Sequence, residues 1–128
     1  MNVLLDTHTF LWWAINDPHL SNAARSVIGD PANRVFVSPA SAWEIAIKHS
    51  TGKLTLPEPP PIYVPKRMAF DGFEALPVTM AHVLATYPLP FHHRDPFDRL
   101  LIAQSIVEDM PIVSVDSVFA AYPVRTIW

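Results

Sequence analysis

The sequence predicts an α/β domain in which helices flank a mostly parallel sheet. Short apolar runs of strand length alternate along the chain with longer segments that begin at capping residues. Half of the 128 residues are hydrophobic and 16% are charged, which is typical of a folded chain with a sizeable core. We therefore expect one domain over residues 1–128, an α/β sandwich around a parallel sheet.

The individual elements follow from apolar runs and punctuating residues. The strands are expected at residues 2–5, 35–37, 73–78 and 111–115, with 124–127 as an edge strand. Helices are expected over residues 7–15, 22–28, 39–51, 62–71, 80–86 and 96–109, with a short one at 117–121. Four prolines between positions 56 and 61 predict an extended loop, and residues 91–95 predict a polar loop.

Four acidic residues stand at the edges of apolar segments: Asp6, Glu44, Asp98 and Asp116. Asp6 and Asp116 end strand-like runs, and the carboxyl ends of parallel strands face the ligand crevice. Helices that enter the same crevice can bring Glu44 and Asp98 to it. Clustered carboxylates repel one another, and a hard divalent cation is the usual reason to tolerate this. The pattern indicates a metal-dependent hydrolase.

Each acid also has an ordinary structural interpretation. Asp6 and Asp116 are suited to cap the helices that follow them. Glu44 has Lys48 four residues on, the spacing of an exposed helical ion pair. A binding module whose acids only cap helices is therefore an alternative to the hydrolase.

Two acids flank the start of the helix at residues 96–109. Asp95 precedes Pro96, which suits the first helical position, so Asp95 is the better N-cap. Asp98 then has no evident structural task. We expect Asp98 to belong to the site and leave open whether Asp95 takes part.

Several site classes are excluded by composition. The chain has no Cys, which excludes disulfides and thiolate metal sites. Its six His show no metal-ligand spacing, and His92 and His93 are expected to be solvated. Three Gly cannot form a phosphate-binding glycine loop, and no G-x-S-x-G motif is present. The absence of Cys fits a cytoplasmic protein, and neither a membrane span nor a signal peptide is expected.

The net charge of −3 argues mildly against a nucleic-acid partner. Removing the four site acids leaves 12 − 4 = 8 acids against 9 bases, so local basic clusters remain able to hold phosphates. The candidates for flanking phosphate contacts are Lys48, Arg94 and Arg99. His93 and Thr7 are weaker candidates to line the cleft. The aromatic residues Phe10, Trp12, Trp13 and Trp43 are interpreted as core or interface.

Four segments in this order resemble PIN-domain proteins of the VapC toxin type: MNVLLDTHTFLWW, SPASAWEIAIKHSTGKL, LPFHHRDPFDRLLIAQS and PIVSVDSVFAAYPV. The resemblance covers nearly the whole chain. It implies a PIN-like three-layer α/β/α fold and the Mg²⁺- or Mn²⁺-dependent endoribonuclease toxin of a type II toxin–antitoxin system, inhibited by a small antitoxin protein. The family's four acids fall on Asp6, Glu44, Asp98 and Asp116, with Asp95 an additional acid near the third.

The expected mechanism is metal-assisted hydrolysis of an RNA phosphodiester. Asp6 is the expected central metal ligand, assisted by Asp98 and Asp116, and Glu44 ligates through water or orients the attacking water. The sequence leaves open whether the site binds one metal ion or two. An antitoxin or a second copy of the chain, as in a homodimer, is expected to cover exposed aromatic residues. Another phosphodiesterase, such as a structure-specific DNA nuclease on the same scaffold, is an alternative.

Overall fold

Five strands form one parallel sheet in the computed structural model, which describes residues 1–128. The strands are Asn2–Leu5 (β1), Arg34–Val37 (β2), Glu74–Ala75 (β3), Ile112–Val113 (β4) and Thr126–Ile127 (β5). Their order across the sheet is β3-β2-β1-β4-β5, and every neighbouring pair is parallel. The order reverses between β1 and β4, so the crevice expected of such sheets opens at the carboxyl ends of these two strands.

Helices cover both faces of the sheet. They are Thr7–Ala14 (α1), Asn22–Gly29 (α2), Pro39–Ser50 (α3), Pro60–Asp71 (α4), Met80–Ala85 (α5) and Pro96–Glu108 (α6), with a 3₁₀ helix at Ser117–Ala121. Ser21, Ser38 and Thr79 each accept a backbone N–H of the first turn through their hydroxyl oxygen. None of the helices has both the length and the apolar character needed to cross a bilayer.

Two apolar cores lie on opposite faces of the sheet, as the alternation of side chains along β1 requires. Val3 and Leu5 pack with Phe10 of α1 in one core, together with residues of α2, α3 and α4. Leu4 packs in the other core with Leu101 and Ile102 of α6. The predicted three-layer α/β/α fold is confirmed.

The proline-rich segment departs from the prediction, because α4 begins at Pro60 rather than at residue 62. Pro60 and Pro61 occupy the first helical positions, where the missing N–H would have no intrahelical partner in any case. The predicted loop over 56–61 is therefore too long. The strands predicted at 73–78 and 111–115 are each only two residues long in the sheet.

Candidate active site

Asp6 follows β1 and is buried at the switch point of the sheet, with 5% of its surface exposed. Its Oδ1 accepts the N–H of Thr9 at 2.7 Å, so Asp6 is the N-cap of α1. Its Oδ2 accepts the hydroxyl of Ser114. Burial raises the pKa of Asp6, and the hydrogen bonds from Ser114 and Thr9 oppose that rise. Asp6 is thus a buried carboxylate in a fixed orientation.

Ser114 connects Asp6 to the chain after β4. Its hydroxyl oxygen accepts the N–H of Asp116 at 3.0 Å while the hydroxyl donates to Asp6. Asp116 is exposed and caps the 3₁₀ helix by accepting the N–H of Val118 at 3.0 Å. Sequence reasoning did not identify Ser114. A lone hydroxyl in the apolar run that leads to Asp116 was the available signal.

Glu44 of α3 is tied to the start of α1. Its Oε1 accepts the hydroxyl of Thr7 at 2.7 Å, and its Oε2 lies 2.6 Å from Lys48 Nζ. Thr7 Oγ1 is also 3.1 Å from the hydroxyl of Ser41. Because Thr7 directly follows Asp6, these contacts hold Glu44 beside the β1–α1 junction. Glu44 is 6% exposed, so it is not the solvated member of a surface ion pair.

A third group lies at the start of α6. Asp95 accepts the N–H groups of Phe97 and Asp98 at 2.8 and 3.3 Å, which confirms it as the N-cap. Asp98 Oδ2 is 2.7 Å from His93 Nε2. One donor atom from each of His93, Asp95 and Asp98 lies within 4.8 Å of the others. His93 is therefore part of the acidic group rather than a solvated side chain.

The pKa of Asp98 responds to burial and to the charges around it. Burial raises the pKa of Asp98 to about 6; the neighbouring charges of Asp95 and Glu44 push it upwards, while His93 pulls it down. α3 and α6 pack against each other through Trp43 and Phe97, whose ring centres are 5.1 Å apart, and the residues that follow these two rings in the chain are Glu44 and Asp98. The structure brings Asp98 together with His93 and Asp95, and the other three acids lie outside that group. Ser114 links Asp6 to Asp116, and Thr7 holds Glu44 at the β1–α1 junction.

The structure contradicts the predicted role of Arg99 as a phosphate contact. Only 7% of its surface is exposed, and its guanidinium is taken up by the protein itself. It donates to the hydroxyl of Tyr122 and to the backbone carbonyl oxygens of Thr86, Leu89, Pro90 and His93. Arg99 therefore holds the loop before α6 in place, and that loop carries His93 and Asp95.

The other two predicted phosphate contacts remain accessible. Lys48 is 41% exposed while it pairs with Glu44. Arg94 is exposed, its guanidinium lies 5.0 Å from the ring centre of Phe91, and it forms no ion pair. Arg94 is thus a basic residue near the acids, and no carboxylate pairs with its guanidinium.

The donor set fits a hard divalent cation. Asp95 and Asp98 offer carboxylate oxygens and His93 one imidazole nitrogen within 4.8 Å of one another, and the carboxylates of Asp6, Glu44 and Asp116 are not part of that group. Burial and repulsion raise the pKa of Asp98, and a cation would relieve both costs. Ligands of this kind favour Mg²⁺ or Mn²⁺ over metals that prefer thiolates.

The raised pKa of Asp98 predicts how metal-free protein responds to pH. The pKa is about 6 in the folded chain and ordinarily 3.8, so the folded state binds more protons between these values. The free energy of unfolding should therefore fall as the pH rises through this window. In EDTA, lowering the pH from 7 to 5 should stabilise wild type relative to Asp98→Asn, so the melting temperature of wild type should rise relative to that of the mutant. A difference that is flat or decreases would contradict the environment assigned to Asp98.

Residues 3–124 match the family of the PIN domain. The chain belongs to the PIN-domain family. A stretch of 61 residues of this PIN domain is 48% identical to Ribonuclease VapC16 of Mycobacterium tuberculosis. The stretch makes up 48% of this chain and 43% of that ribonuclease, so less than half of either protein is matched.

Solved structures share the fold of this PIN domain. A chain of the VapBC2 complex of Rickettsia felis, bound to a DNA fragment from its promoter, superposes with a TM-score of 0.72 at 13% identity, covering 98% of this chain and 97% of the other. A chain of FitAcB from Neisseria gonorrhoeae superposes with a TM-score of 0.63 at 14% identity, covering 97% and 95%. At these identities the likeness supports the fold alone.

Proposed function

We propose that this PIN domain is a Mg²⁺- or Mn²⁺-dependent endoribonuclease and the toxin of a type II toxin–antitoxin system. The observation that carries the proposal is the buried carboxylate of Asp6 at the switch point, with Glu44 held beside it through Thr7 and Asp98 at the start of α6, the helix that packs against α3. The name of the relative, Ribonuclease VapC16, supports RNA as the substrate. The proposed nuclease domain is a single PIN-like domain over residues 1–128.

Asp6, Asp98 and Asp116 are the residues that would hold the metal, and His93 and Asp95 are placed to assist Asp98. When bound, Mg²⁺ or Mn²⁺ would activate water and neutralise charge on the scissile phosphate. Asp6 is suited to a central position because Ser114 and Thr9 fix both of its oxygens.

Glu44 is suited to orient the attacking water. Its Oε1 and Oε2 are held by Thr7 and Lys48, so the carboxylate has little freedom to turn. Each carboxylate oxygen retains a further lone pair that can accept a proton of water. Attack of water on phosphorus leaves a 5′-phosphate and a 3′-hydroxyl, and Lys48 and Arg94 are placed to hold flanking phosphates.

Capping by three of the acids favours the alternative of a non-catalytic binding module. Asp6, Asp95 and Asp116 each accept backbone N–H groups at a helix start. Capping does not account for Glu44 or Asp98, because the N-caps of their helices are Ser38 and Asp95. Two buried or half-buried acids that cap no helix favour the enzyme.

Partner binding is proposed from the two neighbours and from exposed apolar side chains. Both neighbouring structures are named for pairs, VapBC2 and FitAcB, which supports a small antitoxin as the partner of this chain. α5 packs on α6, and exposed apolar side chains on and after these helices suit a homodimer contact: Met80, Leu84, Tyr87, Ile106 and Val107. The cytoplasm, which holds RNA and free Mg²⁺, is the proposed compartment.

Metal-dependent cleavage is the direct test. Purified chain, freed of any partner, should cut single-stranded RNA in Mg²⁺ or Mn²⁺ and stop when EDTA is added, because the carboxylates alone repel the phosphate. The matched substrate is DNA of the same sequence. Cleavage that continues in EDTA would rule out the mechanism, and cleavage of DNA but not RNA would favour the DNA nuclease.

A further inference from the structure

Trp43 is an exposed aromatic side chain beside the acids. Its exposed fraction is 62%, whereas Trp12, Trp13 and Trp128 are partly buried against the core. Trp43 immediately precedes Glu44 on α3. Of the two interpretations, core or interface, its exposure excludes the core and leaves the interface as a prediction. An indole with this much surface in water has an energetic cost that a bound partner would relieve.

Phe97 of α6 fixes the position of Trp43. The two ring centres are 5.1 Å apart and the ring planes meet at 80°, an edge-to-face contact. Such a contact occupies at most one face of either ring, so at least one face of the indole remains open. The side chain is held without being covered, which reduces the entropy that a ligand must offset on stacking against it.

The aromatic pair runs alongside the acid pair. Trp43 precedes Glu44 on α3, and Phe97 precedes Asp98 on α6. The contact between Trp43 and Phe97 brings α3 and α6 together one residue before each of these acids. The open indole face therefore lies at the rim of the crevice in which, under the proposed function, a phosphodiester is cut. Lys48 lies on the same helix and adds a positive charge at that rim.

We propose that Trp43 stacks on the nucleobase of a nucleotide next to the scissile phosphate, with Phe97 as its support. This proposal rests on the proposed ribonuclease function. A nucleobase is the occupant that fits, because a phosphate bound at the acids carries a nucleoside on each side and one of these must pass the rim. Stacking accepts any base, since every base has a π face, so Trp43 contributes affinity and register rather than a sequence code.

The test compares Trp43→Ala and Trp43→Phe with wild type on a single-stranded RNA that wild type cuts at one mapped bond. Trp43→Ala should lower kcat/KM by roughly 5- to 150-fold, the range for one lost base stack. Trp43→Phe should lose less. Phe70→Ala is the matched control, because Phe70 is 78% exposed at the end of α4, on the amino edge of the sheet, and it should cut like wild type.

Abasic substrates separate stacking from a loss of folding. The same RNA is made with one base removed at each position around the cut. One position should slow wild type by the same factor as Trp43→Ala, and at that position removal of the base should no longer affect Trp43→Ala. Equal penalties in both proteins at every position would overturn the proposal. So would wild-type kcat/KM in Trp43→Ala, the result expected if Trp43 contacts only a protein partner.

A readout without cleavage keeps the two proposals distinguishable. Binding of the same RNA should quench a fluorescence component that is present in wild type and missing in Trp43→Phe. If wild type binds and quenches but never cuts, the ribonuclease function fails and the stacking stands. If RNA is cut without any quenching assigned to Trp43, the stacking fails and the function stands. If RNA is neither cut nor bound, both fail.

Discussion

Asp6→Asn is expected to abolish RNA cleavage while the fold is preserved. The amide oxygen can still accept the N–H of Thr9, so the cap of α1 remains. The hydroxyl of Ser114 can rotate to face the amide nitrogen. The mutation removes the charge at the centre of the site and with it a ligand of the metal. A metal that stabilises the transition state by ~4 kcal/mol speeds cleavage about 1,000-fold, and this factor should be lost.

Stability measurements separate the loss of metal from the loss of structure. In EDTA, Asp6→Asn should melt slightly above wild type, because burial raises the pKa of Asp6 and the mutation removes the cost of a buried charge. Mg²⁺ should raise the melting temperature of wild type more than that of the mutant. Asp30→Asn is the matched control, since Asp30 is exposed and accepts the N–H of Ala32 at 2.9 Å. Equal shifts with Mg²⁺ in all three proteins would exclude Asp6 as a ligand.

Local chemistry made the caps predictable. A capping residue followed by Pro predicts a helix start from a few residues of sequence, as at Ser38-Pro39 and Asp95-Pro96. In the structure Ser38 and Asp95 are the N-caps of α3 and α6. The parallel sheet follows in the same way from the alternation of short apolar runs with helices. Because strand ends in such a sheet share one edge, the proximity of Asp6 to the chain before Asp116 was predictable as well.

Contacts between distant side chains were not predictable. Ser114 and Asp6 are far apart in the chain, and only the register of β4 beside β1 brings them together. His93 meets Asp98 because the loop before α6 turns its imidazole inwards. That loop conformation depends on Arg99, which a sequence marks as a surface residue. Its burial is tolerated because five oxygen atoms surround the guanidinium, and no local pattern encodes that arrangement.

Exposure is the other property that local patterns did not determine. Trp43 lies in an apolar stretch of α3, and its neighbours Glu44 and Ile45 are buried while Trp43 is not. The apolar character of the whole helix hides which residue faces solvent, because both sides of α3 carry large hydrophobic residues. Trp43 contacts Phe97 of α6 with part of its ring, and the rest of the indole faces solvent.

Asp98→Asn should lose most of the cleavage activity, whereas Asp95→Asn should retain a measurable part. Asp95 already accepts two backbone N–H groups, and Asn caps a helix about as well as Asp. Asp98 caps nothing, is half-buried, and binds His93 through Oδ2, so its charge serves the site. The measurement is kcat/KM on one RNA substrate, with the melting temperature of each variant recorded alongside.

Asp95→Ala completes the comparison and separates capping from catalysis. Loss of the cap should cost roughly 1 kcal/mol of unfolding free energy. Asp95→Asn should cost much less, so activity lost in both variants would belong to the charge and activity lost only in Asp95→Ala to the cap. The expected order of activity is wild type, then Asp95→Asn, then Asp98→Asn. An inactive Asp95→Asn beside an active Asp98→Asn would move the third acid of the site to Asp95, with His93 and Asp98 left as its supports.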